Sequence, residues 1–86
     1  NSHYVKDNIS DQNGKTVHHM VLAEEVSFFN KASLLNTFES IPNNSKVIID
    51  CTNSKSIAYD VIEIIKDFEH NAKTKSIEVE KINFKP

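Results

Sequence analysis

Lys46-Val47-Ile48-Ile49-Asp50 (KVIID) is a short, unbroken apolar run closed by an acid. β-Branched residues in a run of this length suit a strand. Continuous rather than alternating apolarity suits a central strand covered on both faces. Polar residues 52–56 follow as a loop, and from Asp60 the apolar spacing changes. Val61, Ile62, Ile64, Ile65, Phe68 and Ala72 line one side of a helix, with Glu63, Lys66, Asp67, Glu69 and His70 on the other. Asp60 in the first turn and Lys73 near the end give the charge order that a helix dipole favours. Ile77 and Val79 then alternate with Glu78 and Glu80, a strand with one buried face. Ile82 and Phe84 fall out of that phase, so the strand is expected to end or bulge near Lys81. The span 46–82 is therefore a β-α-β unit, with parallel strands and a right-handed crossover.

Upstream of this unit, Pro42 pushes its predecessor out of the α region and ends a helix. Asn43-Asn44-Ser45 supplies the turn. Leu34, Leu35, Phe38 and Ile41 share one face of that helix, which runs over about 31–40 with Asn30 as its cap. Before it, Val17, Met20, Val21 and Leu22 lie in an extended stretch, a strand over 16–23. Asn13-Gly14 is a hairpin signal and pairs this strand with a weaker one near 3–9. Residues 1–14 read as a weakly ordered start or as that first strand. The order is β-β-α-β-α-β: an α/β fold, a four-stranded mixed sheet with two helices on one face, in one domain over 1–86. Ile48, Ile49, Ile64, Ile65 and Phe68 are expected to be buried together between sheet and helices.

An 86-residue chain is near the small end of what folds alone. Its net charge of −2 disfavours binding to nucleic acid through phosphates, which normally takes a basic surface. No apolar run approaches the roughly 20 residues that span a bilayer, so direct membrane insertion by this segment is not expected. The polar start, Asn1 to Asn8, carries no secretory signal, and opening on Asn rather than Met reads as a piece of a longer protein. Cys51 is the single cysteine, so no internal disulfide can form. Inside an apolar run it reads as a buried structural thiol.

Catalytic and cofactor chemistry finds no foothold. Gly14 is the only glycine, and phosphate-cradling loops need several. His18 and His19 are adjacent on a strand, so they point to opposite faces and cannot share a metal ion. His3 and His70 have no partners at ligand spacing, Cys51 has no nucleophile context, and Glu24-Glu25 reads as a solvated strand end. The expectation is a protein that is not an enzyme and uses no cofactor or metal. One region draws interest: the loop from Asp50 to Ser56 and the helix start Ala58-Tyr59-Asp60. It leaves the C-terminal end of a strand and enters a helix N-terminus, the crevice where α/β sheets bind ligands and where free N–H groups attract anions. The candidate residues are Thr52, Ser54, Ser56, Tyr59 and Asp60. The alternative is that the hydroxyls only cap and brace local backbone, and the Asp60 carboxylate works against an anion.

Two longer phrases of the sequence carry a resemblance. Glu24-Glu25-Val26-Ser27-Phe28-Phe29-Asn30-Lys31-Ala32, and Pro42 through Phe68 with Lys46-Val47-Ile48-Ile49-Asp50 and Asp60-Val61-Ile62-Glu63-Ile64-Ile65, resemble STAS domains at the C-terminus of bacterial SulP anion transporters. The resemblance covers about residues 16–84. It implies a STAS-like (anti-sigma-factor-antagonist-like) fold and a covalently linked transmembrane transport domain that moves sulphate, bicarbonate or a related anion. This segment would then be a regulatory or interaction domain at the cytoplasmic face of the inner membrane, with a cytosolic protein partner or self-association as further contacts. Such domains are similar to antagonists of anti-sigma factors, which carry a phosphorylated serine before a glycine at the start of the second helix. Asp60 and Val61 stand at the matching positions here, so that phospho-acceptor is absent and a carboxylate takes its place. The alternative is a free-standing signalling module of the anti-sigma-antagonist kind that binds a partner protein.

Overall fold

The structure, a computed structural model, describes residues 5–85. Asn13 and Gly14 both take positive φ, 58° and 81°. That is the two-residue turn whose twist matches paired strands. It joins β1 (Val5–Gln12) to β2 (Lys15–Leu22) in an antiparallel hairpin, with Gln12 opposite Lys15. The first strand is thus longer at its C-terminal end than the expected 3–9, and positions 3 and 4 lie outside the described residues. The first helix, α1 (Lys31–Glu39), leads to β4 (Lys46–Asp50), and the second, α2 (Tyr59–Ala72), leads to β6 (Glu78–Ile82). The main sheet has the order β1-β2-β4-β6, with β2, β4 and β6 mutually parallel. This is the four-stranded mixed sheet read from the sequence. The same spans also hold two short strands, β3 (Glu25–Val26) and β5 (Ser56–Ile57), paired in parallel as a second sheet.

Register decides what each face carries. His18, Met20 and Leu22 share a face with Val47 and Ile49, and both helices cover it. Met20, Leu22, Leu34, Val47, Ile49, Val61 and Ile65 are almost wholly buried there. Burial of several branched side chains, at about 1.5–3 kcal/mol each, is what offsets the ordering of so short a chain. Phe38 of α1 stacks on Phe68 of α2, with centroids 4.1 Å apart and planes at 8°, and this locks the helices together.

The opposite face has no helix. Ile48 lies there, half-buried, with Val17, His19 and Val21 on one side and Glu80 on the other. This corrects the expectation that Ile48 joins Ile49, Ile64, Ile65 and Phe68 in one core, and that β4 is deeply buried on both faces. Alternation along a strand puts neighbours 48 and 49 on opposite sides, and helices cover only the side of Ile49, although Val17 on the other side is itself buried. Charged side chains dress the open side: Lys46 reaches Glu78 and Glu80 at 3.8 and 3.6 Å, and Lys15 reaches Glu78 at 3.9 Å.

One local expectation also changes. Asn30 does not cap α1 with its side chain. A 3-10 turn, Phe28–Asn30, precedes the helix, and Ser27 caps it in a reciprocal box with Asn30: the Ser27 N–H donates to Asn30 Oδ1 at 2.9 Å and the Phe29 N–H donates to Ser27 Oγ. At the other end of the chain, β6 ends one residue past Lys81, where the break in apolar phase placed it. Its last residue, Ile82, pairs with Asp50 on the open side. Lys81 occupies a helix-side position on this edge strand because Glu69 of α2 meets it at 2.8 Å and the Phe84 ring lies 4.9 Å beneath its ammonium.

Candidate functional site

The three parallel strands end together, and the segments that leave them are tied to one another by backbone. The Lys55 and Ser56 N–H groups both donate to Glu24 O, at 2.8 and 3.1 Å, and the Ala58 N–H donates to Val26 O at 2.8 Å. The Ser54 N–H donates to Cys51 O, and the Thr52 N–H to Asp50 Oδ1 at 3.0 Å. Of the N–H groups around this loop, those of Lys55, Ser56 and Ala58 are therefore spent on the β3–β5 junction and those of Thr52 and Ser54 within the loop itself. Hydroxyls serve the same end: Ser54 Oγ donates to Ala23 O at 2.7 Å, and Thr52 Oγ1 accepts from Asn83 Nδ2 at 2.9 Å. Thr52 and Ser54 brace the loop.

The five candidate residues do not converge. Thr52 and Ser54 line a groove of about 230 Å³ with Cys51, Lys55 and Asn83. Ser56 sits in β5, exposed, beside a separate shallow depression that includes Glu25 and Ser27. Tyr59 and Asp60 line neither and project from the start of α2. Asp60 is held there by Lys31, whose Nζ lies 3.4 Å from Asp60 Oδ2.

That contact brings a further group into view. The Phe28–Asn30 turn packs on α2, so Phe28 and Phe29 share one end of the domain with Tyr59. Phe28 is 54% exposed, Phe29 82% and Tyr59 71%, and the two phenylalanine rings lie 4.3 Å apart. Three large aromatic rings in solvent on a small domain form a surface fit for a partner, since such residues anchor interfaces. The reciprocal Ser27–Asn30 cap holds the turn in one shape. As sequence, Phe28 and Phe29 enter only as part of the phrase 24–32 and not as candidate site residues, although a signal is present. Leu34 and Phe38 set the buried phase of α1, and positions six and five before Leu34 fall outside it.

Electrostatics at the strand ends are local. Hydrogen bonds from Thr52, with His19 a lesser contributor, hold the Asp50 carboxyl below its ordinary range. The Asp50 carboxylate lies 3.2 Å from His19 Nε2 on the open side of the sheet, while His18 Nδ1 meets Asp7 at 3.2 Å on the helix side. The two histidines point apart, as adjacent strand residues must. Burial, with Asp50 next in the chain, pushes the Cys51 thiol up, so it stays protonated near neutral pH. Among the described residues no cluster of three or more His, Cys, Asp or Glu is placed to hold a metal ion, and no helix is long and apolar enough to cross a membrane.

No model of a known protein family matches this chain, and no curated protein matches it.

Proposed function

We propose that this chain is the regulatory STAS domain of a SulP-type anion transporter, acting through protein contact and not through catalysis. Two supports are independent of each other. One is the resemblance of residues 24–32 and 42–68 to that family, and the other is the β-β-α-β-α-β order, which agrees with it. The observation that carries the interaction reading is the exposed trio Phe28, Phe29 and Tyr59 at the shared N-terminal end of the two helices. Its surroundings favour a protein over a lipid surface. Glu24, Glu25 and Asp60 lie in the same segments, and only Lys31 and Lys55 offset them, each already paired. An anionic leaflet attracts basic segments and disfavours such a patch.

A domain tethered to its partner works at high effective concentration, so weak contacts suffice for regulation. The transported species on this reading is sulphate, bicarbonate or a related anion, and the domain lies at the cytoplasmic face of the membrane. The native gene tests the assignment. Several apolar spans of about 20 residues are expected upstream of Asn1. A reading frame that begins at or just before Asn1 would instead give a free-standing module of the anti-sigma-antagonist kind.

A further inference from the structure

We propose that the outer groove between α1 and α2 is a docking site for a basic amphipathic peptide segment, one or two aliphatic side chains flanked by lysine or arginine. The groove holds about 200 Å³ and is floored by Leu35, Phe38, Ile64 and Phe68. Leu35 is 43% exposed, although Leu34 and Phe38 already satisfy the core from the same helix. A single exposed leucine is ordinary, but this one stands over a cleft whose other wall is apolar as well. The Phe38–Phe68 stack makes the floor rigid. Such a cleft accepts an aliphatic side chain without prior rearrangement.

Charge selects the occupant. Most acids elsewhere on the surface are matched within the chain: Glu24 by Lys55, Asp60 by Lys31, Glu63 by Lys66, Glu69 by Lys81, and Glu78 and Glu80 by Lys46, while Asp11 and Glu25 stand singly among the described residues, away from any apolar cleft between helices. Glu39 and Asp67, on the rim of this groove, enter no ion pair among the described residues. Glu39 is also the last residue of α1, where the helix dipole favours a cation. A lysine or arginine from a partner would answer the carboxylate and the dipole together. Lys75 is the only cation among the described residues that line the groove. The inference stands on this groove alone and does not depend on the transporter reading. Within that reading, cytoplasmic loops rich in Lys and Arg have the required chemistry.

The test uses the whole 86-residue chain and two synthetic helical peptides, one of leucine and lysine and one of leucine and glutamate, with leucines at i, i+3, i+4 and i+7. Side-chain NMR shifts are followed on titration. The lysine peptide is expected to move Leu35, Ile64 and Phe68 and to leave Val17 and Ile48 on the sheet side unmoved, with binding weakened by salt. The double variant E39K/D67K is expected to lose roughly tenfold in affinity for it, as reversed rim charges cost, and to gain binding of the glutamate peptide. Equal binding of both peptides, shifts on the sheet side instead, no binding at all, or a double variant that behaves as wild type each overturn the proposal. Transport plays no part in this readout, so its failure is separate from a failure of the transporter reading.

Discussion

The Lys31 ammonium lies 3.4 Å from Asp60 Oδ2 and so ties the first turn of α1 to the first turn of α2. Both side chains are well exposed, so the pair is screened and contributes little to stability. Asp60→Lys should lower the unfolding free energy by no more than about 1 kcal/mol, from the lost pair and the reversed dipole contact. Urea unfolding with an unchanged slope is the check. A loss above about 2 kcal/mol would show that Asp60 holds up the fold.

Neighbouring isoleucines in β4 should behave differently. Ile49 is fully buried under the helices, and Ile49→Ala should cost about 2–5 kcal/mol. Ile48 is half-buried on the open side, and Ile48→Ala should cost less than about 1.5 kcal/mol, because the site stays in contact with water. Equal costs in parallel denaturant titrations would mean that the strand is covered on both faces.

The contrast between these two residues shows what the sequence could and could not disclose. Apolar spacing located both helices and the three parallel strands, since that signal is local: Leu34 and Phe38, or Val61, Ile65 and Ala72, mark a buried stripe wherever the chain goes, whereas β1 shows only through the Asn13-Gly14 turn. The run Val47-Ile48-Ile49 could not say whether one layer or two covered it, which depends on elements elsewhere. The β3–β5 pair was hidden for a similar reason. It holds two residues on each side, and its bonds join segments about thirty positions apart. This junction also takes up the Lys55 and Ser56 N–H groups, and Thr52 and Ser54 donate within the loop, which leaves less for a ligand than residues 52–56 suggest as sequence. Of the candidate site, Tyr59 and Asp60 stand at the exposed end the structure presents, whereas Thr52 and Ser54 are braces. Phe28 and Phe29 were legible as off-phase aromatics but were read only as part of a longer phrase.

Cys51 should be inert in the folded protein. It is buried, and burial together with Asp50 holds its thiol protonated. The thiolate is the reactive form. A chromogenic disulfide reagent at pH 7.5 should therefore label Cys51 slowly in buffer and fast in urea. Rapid stoichiometric labelling under native conditions would place the sulfur at the surface of the neighbouring groove.

Asp50 should make stability depend on acid. Its folded-state pKa is lowered, chiefly by hydrogen bonds from Thr52. The unfolded chain therefore binds the proton more tightly, and the carboxylate contributes stability above the ordinary aspartate value of about 4. That contribution is lost as pH falls through the lowered folded value. Asp50→Asn should unfold at lower urea concentration than wild type at pH 7, and the gap should narrow steadily below about pH 4. A gap that is the same at pH 7 and at the acid end would assign it to lost packing and not to charge.

The most direct test of the interaction reading is anion uptake by vesicles that carry the full-length protein, with wild type compared against the double variant F28S/F29S at matched expression. Both rings are exposed and off the core phase, so the substitution should leave the domain folded and with near-wild-type resistance to urea. The account predicts a changed initial rate of uptake, because the variant removes the aromatic rings that the proposed function makes the anchors of a protein contact. Uptake identical to wild type in the double variant, and also in Asp60→Lys, would contradict it.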